Sequence, residues 1–455
     1  MKTRITLLFA SITLFIIAGC QKDQQQAMPV NVQIQLAVDE EKVPFTVPYN
    51  KAEITLQSNA NGTKYTLQAS ANGQIQLTDM VPGVYSVNVS LKLTAAEYTA
   101  LTGTNREDDF FLNYTLTNKS IFADENFTIT LVTSEIIGGF VIKQIYYAGS
   151  NTSSAATNRD NFIEIYNNTS ERLYADSLLI VTIYGKPNKS KDAFSLSNDQ
   201  FDWSKSVGMI TTNGDPNEDF VYAKTIMRIP SDGTGKRYAV EPGESIIVAA
   251  TAVNHAGSYT DLNGRVITAQ DPTLTVDLSQ ADFEVNMAEY LKRINAAGSP
   301  LATDVDNLNV TNMDVIFVDT GRDWVFTPQA RESYAILKLD AAIQVENLPA
   351  YASPIERTVS TDTRRYPQLS TQYIIDAVEV EAPLEASRPP RRLPQRFDAG
   401  AISVPGGPFS SQSVVRKTAK KVNGRRILLD TNNSTNDFGT LNRANSSKGE
   451  SSFID

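Results

Sequence analysis

Phe162-Ile163-Glu164-Ile165-Tyr166-Asn167-Asn168 is the stretch from which the fold is read. Aromatic and β-branched residues fill it around a single charge, which suits a buried strand better than a helix. A polar loop, Ser150–Asn161, precedes it, and before that Phe140–Gly149 reads as a long strand. Leu178–Tyr184 follows as another. In Val240–Ala249, Glu241-Pro242-Gly243-Glu244 makes a turn that feeds the apolar run Ser245-Ile246-Ile247-Val248-Ala249. Short apolar strands separated by polar turns predict an all-β domain.

Towards the C-terminus, Met313–Val318, Trp324–Phe326 and Tyr334–Leu339 read as further strands. Asn286–Ala297 is the best helix, with Met287, Leu291 and Ile294 at i, i+4 and i+7, Gly298 as a cap and Pro300 beyond. Towards the N-terminus, Gly138-Gly139 breaks the pattern and marks a boundary. Upstream of it, Val30, Val32, Ile34, Leu36 and Val38 alternate with Asn31, Gln33, Gln35 and Ala37, as a strand with one wet face should. Similar runs lie at Glu53–Gln57, Lys64–Gln68, Gly73–Leu77 and Phe127–Val132. Pro82-Gly83 predicts a tight turn with the glycine at positive φ, after which Tyr85, Val87 and Val89 share one face.

Two resemblances give these patterns a name. Asn72-Gly73-Gln74-Ile75 followed by Pro82-Gly83-Val84-Tyr85 resembles prealbumin-like modules related to carboxypeptidase regulatory domains, which are spacers or weak binding units. Phe162–Asn168 with Pro242–Ala249 looks like the lamin-tail-like immunoglobulin sandwich, in which the residues matching Glu164 and Asn167 stabilise loops at one end. Ile374–Glu379, Ser413–Lys417 and Asp437-Phe438 resemble its late strands and closing element. The mature chain as a whole is similar to a family of Gram-negative envelope lipoproteins that carries only a domain-of-unknown-function label. Ile142–Gly149, Phe162–Asn168, Asp277–Glu284 and Asp430–Phe438 carry that likeness. Companionship with TonB-dependent transporters is what it implies about partners. The fold class expected is mainly β: a small N-terminal β-sandwich at 30–134, then a larger, insertion-bearing immunoglobulin-like sandwich at 138–455 with one or few helices.

The first residues carry an address. Lys2 and Arg4 precede an uncharged stretch from Ile5 to Ala18, shorter than the about 20 apolar residues that span a bilayer. It ends in Ile17-Ala18-Gly19-Cys20, which resembles a bacterial lipobox. The expectation is a signal peptide at 1–19, lipidation of Cys20, a tether at 20–29, and a membrane partner reached through the lipid. Gln21 after the cysteine favours the outer membrane and leaves its two faces open. Removing Lys2 and Arg4 takes the net charge from −10 to −12, against nucleic acid as a partner.

Reactive side chains are scarce in the 455 residues. One cysteine excludes a disulfide framework and multi-thiolate metal sites, and one histidine, His255, leaves little for zinc or Ser-His-Asp chemistry. No nucleophile elbow or phosphate-binding glycine loop is present, so His255 reads mainly as a loop histidine bonded to backbone. The carboxylate-rich segments Asp215–Asp219, Asp304–Asn307 and Asp430–Asp437 have oxygen ligands suited to calcium, but read chiefly as Asx turns. Phe194–Trp203 offers rings for a sugar or a partner, with core packing the commoner fate.

The sharpest feature is electrostatic. Ser387–Arg426 holds Arg388, Arg391, Arg392, Arg396, Arg416, Lys417, Lys420, Lys421, Arg425 and Arg426 against Asp398 alone. Six prolines between Pro383 and Pro408 favour an extended arm over 383–426. Such an arm would contact lipid phosphates or an acidic partner, or its cations would pair with the acids of the rest of the chain. Both readings stand at this level. The function expected is that of a non-catalytic outer-membrane binding or accessory module with no obligatory cofactor. An adhesive or fimbrial-type subunit and a carboxylate-based glycan hydrolase are the alternatives.

Overall fold

The computed structural model describes residues 28–40, 43–104, 109–133, 139–188, 193–296, 298–319, 321–422 and 424–455. The leader, Cys20, most of the tether and Gly138 lie outside the described residues. The chain is mainly β, with several sheets and three short helices among the described residues.

Strand Val30–Val38 shows the alternation its sequence dictates: Val30, Val32, Ile34 and Leu36 are buried while Asn31 and Gln33 are exposed. It pairs antiparallel with Gln74–Met80 and parallel with Glu125–Thr133. These three strands face a second group built from Lys64–Gln68, Glu53–Ser58, Gly83–Leu93 and Phe110–Ile121. The groups are joined only where Leu112 and Asn113 meet Thr133 and Val132, so the sheet folds over there onto its own core. Ile34, Ile54, Leu56, Val87, Val89 and Leu131 fill that core. Tyr85, Val87 and Val89 do share the inner face. The turn before them differs from expectation, because Gly83 already starts the strand and Asp79, at φ 58°, supplies the left-handed residue. A helix at Ala95–Thr102 was not foreseen.

The larger part stacks two seven-stranded sheets. One runs in the order Thr311–Asn312, Phe283–Glu284, Ser245–Ala249, Phe162–Asn167, Phe140–Tyr146, Ser413–Arg416, Phe438–Leu441. The other runs Ala350–Ala352, Arg365–Ser370, Phe220–Arg228, Leu179–Ile183, Ser333–Leu337, Ile374–Glu379, with Asp314–Val318 also on Phe220–Arg228. Ile142, Ile145, Ile163 and Ile165 of the first meet Ile180, Met227, Ile336 and Val378 of the second. The outer faces are covered too. Tyr146, Phe162 and Ile247 pack beneath Val276, Leu278 and Val310, while Leu179, Val181 and Leu337 pack beneath Val345, Leu393 and Phe397. A strand with both faces buried has no reason to alternate, which is why the apolar runs here are continuous.

Two expectations are corrected. The helix spans only Ala288–Arg293, because Asn295 adopts φ 50° and ends it before Gly298. Trp324–Phe326 forms no strand; Trp324, Phe326 and Tyr334 meet edge to face, and Asn161 accepts the Phe326 amide at 3.1 Å.

Candidate functional site

The basic segment is folded in rather than extended. Leu393, Phe397 and Val404 are core residues, Ser413–Arg416 is an inner strand, and Thr418–Val422 pairs with Arg425–Leu428 as a hairpin. The Arg392 guanidinium lies 2.6 Å from Glu379, with both side chains fully buried. Arg416 is held by Asp376 at 2.5 Å, Asp430 at 3.0 Å and Asp437 at 3.6 Å. Arg391 donates to the backbone carbonyls of Asp398, Ala399 and Gly400. Arg426 bonds Glu450 at 2.7 Å and also Asp455. A partner-contact role is therefore corrected for Arg391, Arg392, Arg416 and Arg426, whose burial against internal acceptors leaves nothing to offer outside. Nearer the surface, Arg396 faces Glu218 and Asp219, Arg388 faces Glu381 at 3.6 Å, and Lys421 faces Glu450 at 3.7 Å. Lys417 donates to the Asn436 carbonyl at 2.7 Å and Arg425 to that of Asn168 at 3.1 Å, while Lys420 is exposed.

Arg416 also organises the Asp430–Asp437 loop. Its guanidinium lies among the carboxylates, and Asp437 accepts the Thr431 and Asn433 amides as well. One guanidinium does not balance the three carboxylates around it, and burial pushes the two that are fully enclosed, Asp376 and Asp437, up to about 7. At Asp215–Asp219 the Asp215 carboxylate accepts the Asn217 amide in an Asx turn, and the Asp219 carboxylate reaches back to accept the Asp215 amide. Asp304 accepts the Met287 amide at 3.0 Å, and burial pushes it up to about 6.

His255 is buried, with Nε2 3.1 Å from the Thr251 carbonyl oxygen. Burial lowers its proton affinity, with Asp160 pulling the other way. Asn167 ties its loop by donating to the Glu171 and Val240 carbonyls, whereas Glu164 lies mid-sheet, bound by Lys143 at 2.8 Å and Ser245 at 2.5 Å. In the Phe194–Trp203 stretch, Trp203 stacks on Tyr222 at 3.6 Å and Phe201 packs against its edge, so these two rings are core. The acids pushed upward by burial, Asp160, Glu284, Asp304, Asp376, Asp398 and Asp437, line neither of the two clefts described for this chain.

The larger of these clefts, about 870 Å³, lies between the N-terminal sheet and the larger sandwich. It follows directly from strand periodicity. With Ile54, Leu56, Val87 and Val89 turned into the core, Glu53, Thr55, Gln57, Ser86, Asn88 and Ser90 of the same strands turn out into the cleft. The opposite wall comes from Pro383, Leu384, Arg388, Ala401–Ser403, Thr431, Thr435 and Asn436. Asn113, buried at the junction, donates to the Thr431 carbonyl, and Asn433 donates to Asn88 Oδ1 at 3.4 Å, joining the walls. Of the basic residues singled out from sequence, Arg388 and Lys417 line the cleft, where Lys51, Lys64 and Lys92 join them. The polar wall was missed in the sequence reading, although the wet half of each alternating strand already carried it.

Comparison with known proteins adds a family match. Residues 241–445 match the profile of a family described as a protein of unknown function (DUF4876). Among solved structures, a DUF4876 family protein from Bacteroides thetaiotaomicron is similar at 21% identity, over 90% of this chain and 95% of that one, with a TM-score of 0.47. A candidate adhesin from Bacteroides ovatus is similar at 13% identity over 36% and 57% of the two chains, TM-score 0.17. A candidate carbohydrate-binding protein from Bacteroides uniformis is similar at 10% identity over 49% and 99%, TM-score 0.16. No curated protein matches the chain.

Proposed function

We propose that this chain is a lipid-anchored, non-catalytic binding protein of the outer membrane that holds its ligand in the cleft between the N-terminal sheet and the larger sandwich. The observation that carries this reading is the separation of chemistry from access. The carboxyl groups with raised proton affinity are buried and occupied by backbone amides, hydroxyls and guanidinium groups, while the open cleft is lined mostly by hydroxyls, amides and basic side chains, with Glu53 and Glu381 as its two acids. Acid–base catalysis is favoured by groups of shifted proton affinity within reach of substrate, and the six acids pushed upward by burial lie outside the cleft. A volume of 870 Å³ falls in the roughly 300–1,000 Å³ range of small-ligand sites. The Cys20 tether would hold the cleft at the envelope, where an outer-membrane transporter is the partner that the sequence resemblance favours. To test this, the lipidated chain in detergent is incubated with oligosaccharides and envelope extracts, and bound material is recovered and weighed by mass spectrometry. Recovery of ligand chemically unchanged is expected. Conversion at an ordinary enzymatic rate would overturn the proposal.

A further inference from the structure

Resting on that reading of the cleft, we infer that its ligand is an acidic oligosaccharide, bearing carboxylate or sulfate groups. The first observation is charge. Five basic side chains line the cleft against two acids, Glu53 and Glu381, in a protein whose formal net charge is −10. A concave, positively lined site in an acidic molecule concentrates anions there. Lys51 and Lys92 are partly neutralised by Glu97 and Asp109. Lys64, from the N-terminal wall, has no ion pair among the described residues, and Lys417, from the opposite wall, spends its ammonium on a carbonyl rather than a carboxylate. Two cations without a carboxylate partner thus face one cleft from its two sides.

The second observation is what surrounds them. Strands Glu53–Ser58 and Gly83–Leu93 are paired on both edges, so their backbones cannot accept an added peptide strand. Only side chains are on offer, and they form a lattice. Glu53 is opposite Ser90, Thr55 opposite Asn88, and Gln57 opposite Ser86. Outward positions recur about every 6.6 Å along a strand and about 4.8 Å across to the next. Hydroxyls and amides on such a lattice both donate and accept, which suits a ligand that repeats hydroxyl groups along its length. On the lattice side the apolar residues Val87 and Phe111 are buried, while the apolar surface open to the cleft, Leu384 above all, belongs to the opposite wall, where it can meet the carbon face of a sugar ring.

The test is isothermal titration of the full lipidated chain in detergent with three probes of equal length: oligogalacturonate, a heparin fragment and neutral maltohexaose. At least one acidic probe is expected to bind, about tenfold or more tighter than maltohexaose, and to weaken as salt rises to about 0.5 M. Binding of oligogalacturonate shows that carboxylate suffices, whereas binding of heparin alone, which bears both groups, shows that sulfate is required. Lys64→Glu combined with Lys417→Glu should weaken that binding about tenfold, whereas Lys236→Glu, on a loop away from the cleft, should not. If the double variant melts early, the salt dependence of the unaltered chain decides. Neutral binding as tight as acidic, or binding indifferent to salt, overturns the inference while leaving a ligand-binding cleft in place. Binding of none of the three overturns it as well, and the cleft itself is then judged by crosslinking on cells.

Discussion

At the residue scale, the basic segment shows how charge misleads when read along a chain. Ten cations near six prolines suggest something displayed, yet Arg392 and Arg416 are among the most buried charges in the molecule. Sequence lists charges in order and cannot show that Asp376, Asp430 and Asp437 converge on Arg416. Removing one member of such a set strands the others. Arg416→Met should destabilise the fold by about 3–5 kcal/mol in urea melts, while Lys420→Met, at an exposed position, should change it by less than about 0.5 kcal/mol. Equal effects would contradict the buried hub. Asp304 makes a pH prediction. Its folded-state affinity, raised to about 6, lies above the ordinary value of 3.8, so the folded state binds its proton more readily than the unfolded one. The stabilisation is therefore complete below about pH 4 and lost as pH climbs through about 6. Asp304→Asn keeps a carbonyl to accept the Met287 amide and should remove on the order of 2–3 kcal/mol from the stability difference between pH 4 and pH 8. An unchanged pH profile would show that Asp304 titrates normally.

At the scale of elements, strands were legible wherever one physical rule governed them. Val30–Val38 alternates because one face is wet, and Phe162–Asn167 is continuous because both are covered. The helix Ala95–Thr102 was overlooked although Thr94 and Glu97 form a capping box and Gly103, at φ 73°, closes it. Phe220–Arg228 was overlooked because Lys224 interrupts its apolar run, and only tertiary structure brings Glu332 to that lysine. Glycines give a matched test of close approach. Gly149 and Gly235 have nearly the same φ, 69° and 67°, but a Cβ on Gly149 would lie 2.2 Å from the Thr157 carbonyl oxygen while one on Gly235 meets nothing within 4 Å. Gly235→Ala should cost about 1–2 kcal/mol and Gly149→Ala about 3–5 kcal/mol, since only the second adds an overlap to the backbone strain. Denaturant midpoints check the difference, and similar losses would mean the loop at Gly149 yields freely.

On the scale of the whole molecule, the cleft arises from two parts that the sequence treats separately. The wet faces of Glu53–Ser58 and Gly83–Leu93 are readable as polar positions. What lies opposite them, at Pro383, Leu384, Arg388 and 401–403, is about 290 residues or more further along the chain and has no local signal. Asn113 at the junction is likewise an ordinary polar residue until the fold buries it against the Thr431 carbonyl. If the protein meets its ligand in this cleft, photo-crosslinking on intact cells will register it there. A photoreactive residue replacing Gln57 in the cleft should capture a ligand or partner that one replacing Leu308, 90% exposed and away from the cleft, does not. Equal capture at both positions, or capture at Leu308 alone, would contradict that placement.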